Sequence, residues 1–164
     1  MTKILSGISV TEEYMDENQI AETHQYLTFI LGEEEFALEI AKAREVVGYT
    51  NITRIPRMPE HLLGVINLRG NVVSVIDLRS KLGISVMEET ADTCIVIVEV
   101  NKDGDMLQMG VLADSVREVL HLDPDQIEPP PKVGTKLNPE FIRGIGKQGD
   151  HFVIILDIDK MFDT

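Results

Sequence analysis

From Tyr26 onward the apolar residues fall in short runs rich in β-branched and aromatic side chains. The runs are Tyr26–Leu31, Phe36–Ile40, Ala43–Val47, Val72–Leu78, Cys94–Val100, Met106–Leu112, Val116–Leu120 and Phe152–Ile158. Runs of this length with alternating polarity predict strands. Turn-forming residues separate them: Gly32-Glu33-Glu34, Gly70-Asn71, Asp103-Gly104-Asp105 and Gly149-Asp150. Helical pattern is confined to short pieces near Pro59–Leu63, Arg79–Leu82, Pro139–Ile142 and Asp159–Phe162. In Pro59-Glu60 and Pro139-Glu140 the proline suits a first helical position and the glutamate complements the helix dipole. Many short strands with frequent turns predict an all-β chain built as barrels or a sandwich.

The pattern repeats. Phe36–Val46 lies over Met109–Val119 at an offset of 73, and both segments end in Arg-Glu-Val. Pro59-Glu60-x-x-x-Gly64 lies over Pro139-Glu140-x-x-x-Gly144 at an offset of 80. Thirteen residues after each glycine an aspartate stands in an apolar strand, Asp77 in one half and Asp157 in the other. The extra residues of the second half fall around Glu128–Lys136. Two halves with about five short strands each suggest duplicated small barrels, the first over about 26–83 and the second over about 93–158. Units this small are marginal alone, so a shared core is expected, and a crossing of the chain between the barrels stays open.

Composition narrows the function classes. The chain has 164 residues, 43% apolar and 26% charged, with a net charge of −13. That charge argues against nucleic acid or anionic lipid as the main partner, since phosphate binding relies on Lys and Arg. One cysteine excludes an intramolecular disulfide, and no apolar run approaches the length of a membrane-spanning helix. The opening residues lack the pattern of a secretory signal. The expected setting is cytoplasmic, without membrane insertion. Residues 1–24 carry five acids, Glu12, Glu13, Asp16, Glu17 and Glu22, against one lysine, and read as a flexible acidic arm.

Candidate chemistry is thin. Residues present at matched positions in both halves are architectural before they are catalytic. Asp77 and Asp157 therefore read as strand-end carboxylates that cap a turn, rather than as a catalytic pair. Gly64 and Gly144 read as positions needing φ > 0 or close packing. Gly144-Ile-Gly146-Lys-Gln-Gly149 matches G-x-G-x-x-G, but it leads into a strand instead of opening a helix and reads as a hairpin. Asp103-Gly104-Asp105 lacks the ligand series of a calcium loop. Cys94 sits in an apolar run and reads as a buried small hydrophobe. The four histidines have no metal-ligand spacing, and no Ser lies in G-x-S-x-G. No catalytic residue, cofactor or metal site is expected. An enzyme or small-ligand sensor with a pocket between the barrels is the alternative, with Cys94 and the isolated histidines its only candidates.

The halves differ after their shared glycine. The first reads Val-Ile-Asn67-Leu68-Arg69-Gly70, which places an amide and a guanidinium fork at a turn. Arg69 could meet a partner carboxylate or pair within its own barrel, with Glu45 as the nearest candidate. Residues 42–81 are net +4, leaving −17 elsewhere. Such asymmetry favours oriented docking onto a protein partner.

Taken together, several stretches resemble the CheW family of chemotaxis coupling proteins. They are Tyr26–Gly32, Phe36–Ile40, Arg44–Val46, Ile52–Pro56, Gly64-Val-Ile-Asn-Leu-Arg-Gly70, Val75-Ile-Asp-Leu-Arg79 and Leu82-Gly83. In the second half Gly110–Asp114, Val116–Val119, Ile127–Pro130 and Gly144–Gly146 match as well. The likeness runs from about residue 25 to 162. It implies two five-stranded SH3-like β-barrels that share a hydrophobic interface, and a non-catalytic adaptor that joins chemoreceptors to the histidine kinase CheA in signalling arrays. In relatives the helical hairpin of the receptor's cytoplasmic tip docks between the barrels, and the kinase's regulatory domain meets the barrel ends. Carried over by motif, Ile40, Ala43, Glu45, Val46, Gly64, Asn67, Arg69 and Gly70 are expected to face partners or form the groove, with Gly110 beside it. Ala43 stands where the family usually carries a larger aliphatic residue. No kinase or receiver segment accompanies the module, which points to a free-standing adaptor at arrays on the inner face of the membrane.

Overall fold

The computed structural model of the protein describes residues 24–59, 61–86, 88–130 and 138–162. Residues 1–23, Glu60 and the part of the Glu128–Lys136 insertion beyond Pro130 lie outside the described residues. Eleven strands are described: β1 (Gln25–Leu31), β2 (Glu34–Glu39), β3 (Ala43–Gly48), β4 (Leu62–Leu68), β5 (Asn71–Ile76), β6 (Cys94–Lys102), β7 (Asp105–Ala113), β8 (Ser115–His121), β9 (Ile127–Glu128), β10 (Ile142–Gln148) and β11 (His151–Leu156). Two short helices, α1 (Leu78–Leu82) and α2 (Ile158–Met161), follow β5 and β11.

The strands form a five-stranded sheet, β3-β6-β7-β5-β4, and a six-stranded sheet, β8-β1-β2-β11-β10-β9. The all-β expectation of two SH3-like units stands, with the two-residue β9 added to the second. The sheets do not divide the chain at 26–83 and 93–158, however. The first sheet joins β3, β4 and β5 to β6 and β7, and the second joins β1 and β2 to strands β8–β11. Exchanging β1 with β6, β2 with β7, β3 with β8, β4 with β10 and β5 with β11 turns one strand order into the other. Each half thus donates its first hairpin to the sheet of the other half. The register agrees. Ser74 pairs with Met109 between parallel β5 and β7, and Ile154 pairs with Phe36 between β11 and β2. These pairs are related by the same offsets, 80 and 73, that the sequence shows.

The exchange is stabilised by burial, because each donated strand has one face in a barrel and the other in the shared core. On β6, Ile95 and Ile97 pack inside the first barrel with Ile66, Val75 and Leu112. Cys94, Val96, Val98 and Val100 point the other way, into a cluster that includes Leu27, Phe29, Phe36 and Leu38 from β1 and β2. The cluster of Tyr26, Ala37, Leu120, Leu122, Val153 and Ile155 fills the second barrel. Alternating side chains from a strand buried on both faces produce this division directly.

Two features depart from the sequence pattern. β4 and β10 lie where no apolar run was expected, and Pro59–Leu63 contains no described helix. The Leu62 N–H donates to the Pro59 carbonyl in a single turn before β4 begins. Glycines hide β4 and β10, since Gly64, Gly144 and Gly146 interrupt the side-chain alternation while the backbone stays extended. The matching piece in the second half is a 3-10 turn, Pro139–Phe141. Asp77 and Asp157 cap α1 and α2, accepting from the Arg79 and Lys160 N–H groups at 3.0 and 3.3 Å.

Candidate partner-binding site

The β4–β5 hairpin turns on Arg69 and Gly70, whose φ angles of 52° and 90° make a type I′ connection. Gly70 accepts this backbone without penalty, whereas Arg69 occupies the left-handed region at a cost of about 1 kcal/mol. The Asn67 Oδ1 accepts the Gly70 N–H at 2.7 Å and fixes the turn. From it the Arg69 fork reaches Glu45 on β3: Nη1 donates to Oε1 at 3.0 Å, and Nη2 pairs with Oε2. Since β3 and β4 are the two edges of the five-stranded sheet, this pair draws its edges together. The Arg69 side chain is 65% exposed and that of Glu45 11%. The hydrogen bond and charge of Glu45 raise the guanidinium above its ordinary pKa.

The candidate residues separate into two groups. Asn67, Arg69 and Gly70 lie together on the surface at one end of the first barrel, with Glu45 beneath Arg69. Ile40, Ala43 and Val46 belong to the shared core. Gly64 is buried at a bulge with φ 150°, and a Cβ there would come within 3 Å of the Thr53 carbonyl and Ile52 Cγ2. Thr53 and Val65 exchange backbone hydrogen bonds of 2.8 and 2.9 Å over this spot, so close approach of the backbone is what excludes a side chain. Gly144 is the counterpart, covered by Ile127 and Glu128 of β9. Gly110 faces Ile95 and Val75 at distances of 2.9 and 3.2 Å from a would-be Cβ. Its counterpart in the repeat is Ala37, which is fully buried.

Val72 is 77% exposed beside the Arg69 turn, and Phe152, at the equivalent place on β11, is 59% exposed. Neither was singled out from sequence, although the offset of 80 pairs them. Part of the +4 sector is met by acids, some from outside it and some within it. Lys42 pairs with Asp159, Arg44 lies 3.9 Å from Glu99, and Arg79 pairs with Asp77 and Asp114. Arg54 and Arg57 are exposed and have no ion pair among the described residues. Cys94 is 4% exposed, and burial, followed by the charges of Asp92 and Asp114, pushes its thiol up to about 12. Among the described residues no group of His, Cys, Asp and Glu could hold a metal ion, and no described helix is long and apolar enough to cross a membrane.

The family model of the CheW-like domain matches residues 25–164. The chain belongs to the CheW family. It is 34% identical over 140 residues to the chemotaxis protein CheW of Klebsiella aerogenes, covering 85% of this chain and 82% of that protein. It is 36% identical over 140 residues to the chemotaxis protein CheW of Helicobacter pylori, with the same coverage of each chain. The crystal structure of the scaffolding protein TtCheW from Thermoanaerobacter tengcongensis is similar with a TM-score of 0.78 and 38% identity, over 87% of this chain and 89% of that one. As a CheW-family member the protein is a chemotaxis adaptor and not an enzyme.

Proposed function

We propose that the protein couples chemoreceptors to the histidine kinase CheA, binding the helical hairpin of a receptor tip and the kinase's regulatory domain through separate faces in arrays beneath the membrane. The observation that carries this reading is the surface at the end of the first barrel. There an exposed guanidinium, a capped I′ turn and Val72 stand together, with Glu45 fixing the direction of the fork. In this reading Asn67, Arg69 and Gly70 touch a partner, while Ile40, Ala43, Val46, Gly64 and Gly110 shape the surfaces from beneath. Apolar contact supplies affinity, and the fork sets orientation and salt dependence.

The test is binding of the full chain to a receptor cytoplasmic fragment and to the CheA regulatory domain, separately and together. Both are expected to bind at once, and Arg69→Glu is expected to weaken at least one interaction. Failure of both to bind the folded protein overturns the coupling role. Unchanged binding in Arg69→Glu overturns the site.

A further inference from the structure

Each sheet has an edge strand that carries the sequence Arg-Glu-Val, β3 in the first and β8 in the second. Both strands bulge at the same place, with Arg44-Glu45 opposite Ile97 and Arg117-Glu118 opposite Thr28. A bulge re-aims the side chain that it carries. On β3 it delivers Glu45 to the Arg69 fork. On β8 the buried Thr28 hydroxyl fixes it, donating to the Glu118 carbonyl at 3.0 Å and accepting the Glu118 N–H at 3.1 Å.

The second carboxylate stands without the cation. The offset of 80 sets Gly149 against Arg69, and both hairpins turn through two residues, with φ 61° at Gly149 and 52° at Arg69. Lys147, in the place of Asn67, pairs with Glu128 of β9 at 2.7 Å. The half-buried Glu118 side chain makes no hydrogen bond or ion pair among the described residues. No described atom lies within 4 Å of a would-be Cβ at Gly149, so this turn is open where the first bears a guanidinium. Phe152, beside it, is 59% exposed. A half-buried carboxylate is stabilised by a cation, and a guanidinium suits it best because its donors match both oxygens.

We propose that Glu118 receives an arginine from a protein partner, so that the second barrel is clamped in trans as Arg69 clamps the first in cis, with Phe152 as the apolar contact beside it. The inference rests on the coupling reading for the identity of that partner. It gives the two barrel ends opposite charges, a cation at Arg69 and an anion at Glu118, and so fixes which end meets which partner surface.

The socket is tested first without a partner. Gly149→Arg supplies the side chain in cis, at a turn that already has the left-handed backbone of Arg69. Adding Glu118→Gln is expected to lower the urea midpoint of that variant by more than it lowers the native midpoint. Equal shifts overturn the proposal, since the carboxylate then does not reach the turn. Calorimetry with a receptor cytoplasmic fragment and with the CheA regulatory domain reads the contact in trans. Glu118→Gln is expected to weaken one of the two about tenfold, and Glu118→Asp less. Gly149→Arg, which fills the socket from within, is expected to weaken the same one. Native-like binding of both to Glu118→Gln overturns the proposal while the coupling role stands. Self-association that Glu118→Gln abolishes, with both partners still bound as before, assigns the socket to a second copy and also overturns it. Binding of neither partner to the native chain overturns the coupling role, and the midpoint comparison then decides the socket alone.

Discussion

Arg69 and Glu45 stand at opposite edges of one five-stranded sheet and are joined through both nitrogens of the guanidinium fork. The same pair closes the sheet and holds the other side of an exposed cation in a fixed direction. Sequence alone left Arg69 divided between a partner and Glu45, but the geometry makes these compatible, because the pair uses one N–H of each terminal nitrogen and leaves the other guanidinium donors on a mostly exposed side chain. Arg69→Ala is therefore expected to leave the fold intact by circular dichroism. Binding to the affected partner should weaken about tenfold or more by calorimetry. Glu45→Gln keeps the shape but loosens the fork, and a smaller loss in the same direction is expected.

Gly64 and Gly70 belong to the same hairpin but are glycine for different reasons. A side chain at Gly64 meets the backbone of Thr53, which is itself held by two hydrogen bonds. Gly64→Ala should cost about 2–3 kcal/mol in urea unfolding. At Gly70 nothing stands within 4 Å, and only φ 90° resists a substitution. Gly70→Ala should cost about 1 kcal/mol. Equal losses at the two positions would contradict this distinction.

The repeat was the most legible feature of the chain. Offsets of 73 and 80, read between Phe36 and Met109 and between Gly64 and Gly144, reappear as the register of the two parallel strand pairs. The exchange of hairpins was not legible, because β1 and β6 carry similar apolar runs and the pattern does not show which sheet each completes. Only three-dimensional packing distinguishes a hairpin kept from a hairpin donated. β4 and β10 were hidden by their glycines, which mark close crossings by Thr53 and by β9. At the candidate site, the resemblance selected the positions without separating surface from core. Ile40, Ala43 and Val46 look like any alternating strand residues until the second barrel is seen to cover them.

Asp114 lies at the joint where the chain passes from the first sheet to the second. Its Oδ2 accepts the Gly32 N–H at 2.7 Å, and its Oδ1 accepts from Arg79 Nη1 at 2.9 Å. The Arg79 side chain is 5% exposed and is also held by Asp77, so the network joins the first hairpin, α1 and the β7–β8 joint. Asp114→Ala removes the acceptor from both donors. A loss of about 2–3 kcal/mol is expected in urea unfolding. The contrasting change, Glu128→Gln at an exposed carboxylate paired with Lys147, should move stability by less than about 0.5 kcal/mol.

Cys94 tests the absence of thiol chemistry directly. With the thiol buried and its pKa at about 12, almost no thiolate forms near neutral pH. A disulfide reagent such as DTNB should label the folded protein only slowly, at a rate set by opening of the structure, and label the urea-unfolded chain rapidly. Fast stoichiometric labelling of the native chain at pH 8 would remove the basis for treating Cys94 as inert packing.

Asp159 occupies on α2 the place that Arg79 occupies on α1, at the offset of 80, and it links across the molecule with the charges inverted. Its Oδ2 accepts from Lys42 Nζ at 2.8 Å, at the joint between β2 and β3, and its Oδ1 accepts the Asn101 N–H at 2.9 Å. Burial pushes this carboxyl up. The Lys42 hydrogen bond, the Asn101 N–H and the charges of Lys42 and Arg143 outweigh that effect and hold it below its ordinary value of 3.8. A carboxyl depressed in the folded state binds its proton more readily in the unfolded chain. Its stabilising contribution is therefore complete above the unfolded pKa of about 4 and is lost as pH falls through the folded value. Asp159→Asn should lower stability at pH 7 and flatten the acid limb of the stability profile. The native and variant curves should then converge as pH drops below about 4. Urea midpoints measured from pH 7 to pH 3 check this, and a difference that stays constant with pH would show that Asp159 acts through packing instead of charge.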